Sequence, residues 1–86
     1  MTSAQPERPS VLVVEDEARI RELVALHLQL EGLAPREATD GDTGLSPARS
    51  RKFDLIILDL MLPGLDGVTV CRAIRRESAN AETPIL

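Results

Sequence analysis

Carboxylates follow two apolar runs of this sequence, and they are the side chains best suited to chemistry. The run VLVV at 11–14 leads into Glu15 and Asp16, and the run LIIL at 55–58 leads into Asp59. Short runs of β-branched and aliphatic residues predict strands that are covered on both faces, as in a parallel sheet. If these strands are parallel neighbours, their carboxylates meet at one edge of the sheet and form a pocket for a hard divalent cation.

The predicted chemistry of this pocket is phosphate chemistry. Closely spaced carboxylates repel one another, which raises the pKa of at least one of them unless a cation is present. Mg²⁺ in proteins commonly binds one or two carboxylates together with phosphate oxygens. With the metal in place, one carboxylate can attack phosphorus and form an acyl phosphate. Asp59 is the best placed nucleophile, because it stands alone at its strand end, opposite the pair of Glu15 and Asp16 that would hold the ion.

Helical patterns separate the apolar runs. Apolar residues at helical spacing predict a first helix over 18–31, which Gly32 would end. The second helix is predicted to be short and to begin at Ser46, because Gly44 and Pro47 cost about 1 and about 3 kcal/mol in a helix interior. A third helix follows the third strand, with Asp66 as its expected cap.

The alternation of strands and helices predicts a doubly wound α/β fold with right-handed crossovers. The weak strand over 33–38 contains Pro35, which cannot donate to a central ladder and so indicates an edge position. Residues 84–86 (PIL) resemble the start of a fourth strand. For the strand order 2-1-3, the winding reverses between strands one and three, which is where ligands bind in such sheets. The acids lie at that place.

Composition limits the other functions. A chain of 86 residues with 43% hydrophobic content forms one domain with a small core. A net charge of -4 and a single aromatic residue argue against binding the nucleic-acid backbone or stacking on its bases. The single cysteine excludes an internal disulfide. Residues 1–10 are polar, with two prolines, and predict a flexible segment that is neither signal peptide nor membrane span, so we expect a cytoplasmic protein.

Three motifs of the sequence match the pattern of one known family in order and spacing: VLVVEDE at 11–17, ATDG at 38–41 and DLIILDLMLPGLDG at 54–67. Together they make residues 11–86 similar to the N-terminal part of the receiver domain of two-component response regulators. The resemblance implies a flavodoxin-like parallel sheet of order 2-1-3-4, with the fifth strand of such domains missing from this chain.

The resemblance also implies roles for individual residues. Asp59 matches the phosphoacceptor, Asp16 a direct Mg²⁺ ligand, and Glu15 an acid that usually reaches the ion through water. The backbone carbonyl of Met61 matches the third protein ligand. The phosphodonor would be a sensor histidine kinase. A receiver performs its own transfer and carries no separate enzymatic activity. Its loop, LPGLDG at 62–67, is commonest in regulators with a DNA-binding output domain, so transcription control is expected only through such a domain.

Two features of the family would lie beyond Leu86, namely a Ser or Thr at the end of strand four and a Lys at the end of strand five. We therefore expect a fragment of a longer regulator. One alternative function is a phosphorylation-independent module that forms a homodimer through an exposed sheet edge or the face left by missing helices. A second is a Mg²⁺-dependent hydrolase with an aspartyl nucleophile, but Met61 stands two residues after Asp59, where such hydrolases commonly have an acid. No membrane partner is expected.

Overall fold

Strands and helices alternate along the chain, as the sequence predicts. The computed structural model describes residues 8–59, 66–77 and 79–86. The elements are β1 (Ser10–Val14), α1 (Ala18–Leu30), β2 (Ala34–Ala38), α2 (Gly41–Ser50), β3 (Leu55–Leu58) and α3 (Gly67–Glu77). The strands form a parallel sheet in the order β2-β1-β3. The doubly wound α/β class is therefore confirmed.

The two sides of the sheet end differently. β2, which contains Pro35, is an edge strand, as predicted. Beyond β3, Ile85 pairs in parallel with Ile56, whose carbonyl accepts a hydrogen bond from the Leu86 N–H at 2.9 Å. The residues expected to begin a fourth strand thus lie where the order 2-1-3-4 places them, although they form only a single bridge.

Side chains of β1 point alternately to the two faces of the sheet, and they are buried on both faces. Leu12 and Val14 belong to the main core, together with residues of α2, β3 and α3. Val11 and Val13 are equally buried on the opposite face, and α1 packs against β1 and β2. Burial of all four side chains holds β1 in the centre of the molecule, so that the residue that follows it has a fixed position.

The second helix differs from the prediction that it begins at Ser46. It begins at Gly41, and Asp40 caps it by accepting a hydrogen bond from the Thr43 N–H at 2.8 Å. The helix passes very close to β1 at Gly44, where a Cβ would lie 2.7 Å from Cγ2 of Val14. A glycine inside the helix permits this close approach. Tertiary packing therefore decides the start of α2, and the helix continues through Pro47.

The first helix begins and ends close to its predicted bounds. Its N-cap is Glu17, whose side chain accepts from the Arg19 N–H at 3.3 Å. Gly32 follows its end with a φ of 84°, the left-handed conformation that favours glycine. Four large apolar side chains of α1 are exposed by about half or more, namely Ile20, Leu23, Leu26 and Leu30. Within the described parts of the chain, every helix is too short or too polar to span a membrane.

Candidate metal and phosphate site

The two central strands deliver their acids to the same end of the sheet. In the register of β1 and β3, Val14 lies beside Leu58, so Glu15 and Asp59 are the next residues on each strand. The Asp59 N–H donates to the Val14 carbonyl at 3.1 Å, and the Glu15 N–H donates to the Ala38 carbonyl at the same distance. The hydrogen-bond ladder therefore continues one residue past the strands and fixes the backbone of both acids.

Three carboxylates meet at this end of the sheet. Ligand oxygens of Glu15, Asp16 and Asp59 lie within 4.8 Å of one another. Glu15 and Asp59 are half-buried, whereas Asp16 is exposed. Hard oxygen donors at this spacing, open to solvent on one side, fit the ligand preference of Mg²⁺, which keeps several of its waters. The residues present therefore suit this ion.

The pKa of Glu15 is raised above its ordinary value of 4.5, and burial is the main cause. The negative charges of Asp59 and Asp16 raise it further, while a hydrogen bond from the Glu17 N–H at 3.1 Å opposes the shift. Partial burial and like charges both disfavour the ionised form. A divalent cation would relieve the repulsion between these carboxylates.

Other residues singled out in the sequence have structural positions. Asp66 accepts a hydrogen bond from the Thr69 N–H at 2.9 Å and holds the start of α3, as expected of a cap. Glu17 is the N-cap of α1. Met61, the expected carbonyl ligand, lies outside the described residues.

Two polar residues have structural roles that were not predicted, one beside the acids and one at the other end of β3. Arg21 of α1 donates through Nη1 to the carbonyls of Glu15 at 2.9 Å and Asp16 at 3.4 Å. Asn80 is fully buried, and its side-chain oxygen accepts from the Phe53 N–H at 2.6 Å, just before β3. Arg21 resembles any polar residue of an amphipathic helix and Asn80 any loop residue, so the sequence carries no signal for either role.

The sequence of residues 11–86 matches the profile of the response regulator receiver domain. Among curated relatives, the transcriptional regulatory protein ResD of Bacillus subtilis is 46% identical over 82 residues, which are 95% of this chain and 33% of ResD. The chain thus spans about a third of the length of this relative.

Solved structures give the same fold. The chemotaxis response regulator CheY4 of Vibrio cholerae has a TM-score of 0.87 and 35% identity, over 92% of this chain and 66% of that one. The response regulator TrrA of Thermotoga maritima, solved in complex with Mg(2+)-BeF, has a TM-score of 0.77 and 36% identity, over 90% of this chain and 65% of that one. Both matches leave about a third of the solved chain without a counterpart.

Proposed function

Because this chain belongs to the response regulator receiver domain family, we propose that it accepts a phosphoryl group on Asp59 in two-component signal transduction. The observation that supports this most is the meeting of Asp59 with Glu15 and Asp16 within 4.8 Å. We assign Asp59 the role of phosphoacceptor and the other two acids the role of holding Mg²⁺. The backbone carbonyl of Met61 is proposed as a further ligand.

The proposed transfer forms one bond and breaks one. A carboxylate oxygen of Asp59 attacks phosphorus in the phosphohistidine of a sensor kinase, and the P–N bond breaks as the P–O bond forms. The electron pair of the broken P–N bond remains on the imidazole nitrogen, which takes a proton from solvent. Bound Mg²⁺ would supply positive charge to the phosphoryl oxygens and to the carboxylates. The backbone hydrogen bond from Asp59 to Val14 holds the nucleophile in place.

The proposal extends to the whole regulator of which residues 11–86 would form the N-terminal part of the receiver. The names of relatives such as ResD describe transcriptional regulators. We infer that phosphorylation of Asp59 controls a DNA-binding output domain, and that the chain contacts DNA only through it. The chain takes up a single phosphate as a substrate of the kinase and is not an enzyme in its own right.

Phosphorylation by a small acyl phosphate in the presence of Mg²⁺ tests the proposal. Intact-mass analysis should show one added phosphate that hydroxylamine removes, and Asp59→Asn should abolish it. Asp54→Asn is the matched control, because Asp54 precedes the same strand at its other end, where its carboxylate accepts from the Ser10 N–H at 2.8 Å. A folded chain that binds Mg²⁺ yet accepts no phosphate would contradict the proposal. Repeated turnover of the donor would indicate a hydrolase instead.

One observation favours homodimerisation as a second candidate function. Ile20, Leu23 and Leu30 lie on one side of α1 and are exposed by 49%, 56% and 71%. A second copy of the chain could cover this apolar face. Light scattering should then give a dimer that Leu23→Lys disrupts, that Glu22→Lys leaves intact, and that forms equally well with Asp59→Asn. A wild-type chain that is monomeric at all concentrations would exclude this function.

A further inference from the structure

Arg21 ties the loop that carries two of the acids to the rest of the fold. Its Nη1 donates to two successive carbonyls, those of Glu15 at 2.9 Å and Asp16 at 3.4 Å. Its Nε lies 3.4 Å from Oε1 of Glu37 on β2. The Arg21 side chain is only 14% exposed, and its hydrogen bond to the Glu15 carbonyl is partly buried, where such a bond is stronger than at the surface. One guanidinium thus joins α1, the β1–α1 loop and β2.

The two carbonyls matter because they set the direction of the acids. The carbonyl of a residue turns with its ψ angle, and a fixed peptide plane also limits φ of the next residue. Holding the carbonyls of Glu15 and Asp16 therefore limits how the backbone presents both side chains to a cation. The hydrogen bond from the Glu15 N–H to Ala38 fixes the same loop from the opposite side.

Arginine suits this task better than lysine. A guanidinium is planar and offers five donors in a fixed arrangement, so it can bond two carbonyls and a carboxylate at once. A lysine ammonium keeps the charge but lacks this arrangement. Elsewhere in metalloproteins, loss of a group that orients a metal ligand typically lowers metal affinity by about 10- to 100-fold.

We propose that Arg21 is a positioning residue that preorganises Glu15 and Asp16 for the divalent cation. This inference rests on the proposed function only in assuming that these two acids bind the ion. Arg21 does not touch the ion or the phosphoryl group. It lowers the cost of binding by holding the ligand loop in its bound form before the ion arrives.

Calorimetric titration of the 86-residue chain with MgCl₂ tests the proposal, with thermal unfolding in EDTA run in parallel. Arg21→Lys should raise the Mg²⁺ dissociation constant about tenfold, while the metal-free melting temperature changes little. Arg19→Lys makes the same chemical change at an exposed position of the same helix and should leave the affinity unchanged. Glu37→Gln keeps Arg21 but removes the charge that anchors it, and should give a smaller loss of affinity.

The outcomes separate positioning from simple stabilisation. Wild-type Mg²⁺ affinity in Arg21→Lys would overturn the proposal. So would a loss of affinity that the lower folded fraction of the variant at the titration temperature explains by itself. If Arg21→Lys does not fold, Glu37→Gln decides, and an unchanged affinity there would overturn it. A wild-type chain that binds Mg²⁺ but accepts no phosphate contradicts the proposed function and leaves this comparison valid. A wild-type chain that binds no Mg²⁺ overturns both.

Discussion

Neutralising Asp59 should make the metal-free chain more stable, although the residue is the proposed centre of function. The three carboxylates place their ligand oxygens within 4.8 Å of one another, and two of the three pairs include Asp59. At this separation one pair of charges repels by about 0.9 kcal/mol in a water-like dielectric and about 3.5 kcal/mol at an effective dielectric constant of 20. Since Asp16 is exposed and salt screens the pairs, the lower value is the better guide.

We therefore expect Asp59→Asn to raise the free energy of unfolding in EDTA by about 1 kcal/mol, or the melting temperature by roughly 4–8 °C for a domain of this size. Asparagine keeps the shape of the side chain while removing its charge. Mg²⁺ should remove this advantage of the variant: at ten times its dissociation constant it should stabilise the wild-type chain by about 1.4 kcal/mol and the variant by much less.

Circular dichroism melts with EDTA and with MgCl₂, for the wild type and for Asp59→Asn, give all four values. Glu22→Gln removes one negative charge from an exposed position of α1 and is the control for net charge. An Asp59→Asn variant that melts at or below the wild-type temperature in EDTA would refute the reasoning. So would an equal stabilisation of both chains by Mg²⁺, because the ion would then bind elsewhere.

Three further measurements test titration and packing. Mg²⁺ affinity should fall as the pH drops through the pKa of Glu15, which is raised above 4.5, because the proton competes with the ion for this carboxylate. Protonation of Glu15 stabilises the metal-free fold, and this contribution is lost as the pH rises through the same pKa. Calorimetry at several pH values measures the affinity, and a value that does not change with pH would contradict the prediction. Gly44→Ala should destabilise the chain by about 1 kcal/mol or more in urea melts, because the added Cβ would lie 2.7 Å from Val14 Cγ2. The loss should be smaller in a Val14→Ala background, and additive effects of the two substitutions would contradict the contact. Asn80→Ala should lower the free energy of unfolding by about 1–3 kcal/mol, because the buried Phe53 N–H loses its acceptor. Hydrogen exchange at that amide should become faster, and a loss of stability below about 0.5 kcal/mol would contradict this role.

The features that the sequence predicts correctly are those set by local chemistry. Pro35 lacks a donor and so indicates the edge strand, and Gly32 adopts the positive φ that ends α1. The acids after β1 and β3 follow directly from where the apolar runs end, and their convergence needs only a parallel pairing of neighbouring strands. In each case one residue or one boundary carries the information.

The features that the sequence does not predict depend on contacts between distant residues. Gly44 and Pro47 argue against a helix at 41–50 by propensity, yet Gly44, Leu45 and Ala48 are buried in it, with Gly44 closely packed against Val14. Asn80 bonds main-chain groups about thirty residues away, including the carbonyls of Ala48 and Arg51. No local pattern in the sequence encodes such pairings.

The site owes its arrangement to the main chain more than to its own side chains. Carboxylates that repel one another would separate if the backbone allowed it, but the N–H groups of Glu15 and Asp59 are each bonded to a neighbouring strand. Buried side chains on both faces of β1 prevent that strand from moving to relieve the repulsion. The fold therefore holds three carboxylates together at a cost in stability, and a divalent cation bound between them would recover that cost. Because the same cation would also attract phosphoryl oxygens to Asp59, the repulsion that destabilises the metal-free chain would favour binding of the metal and, through it, of the phosphoryl group.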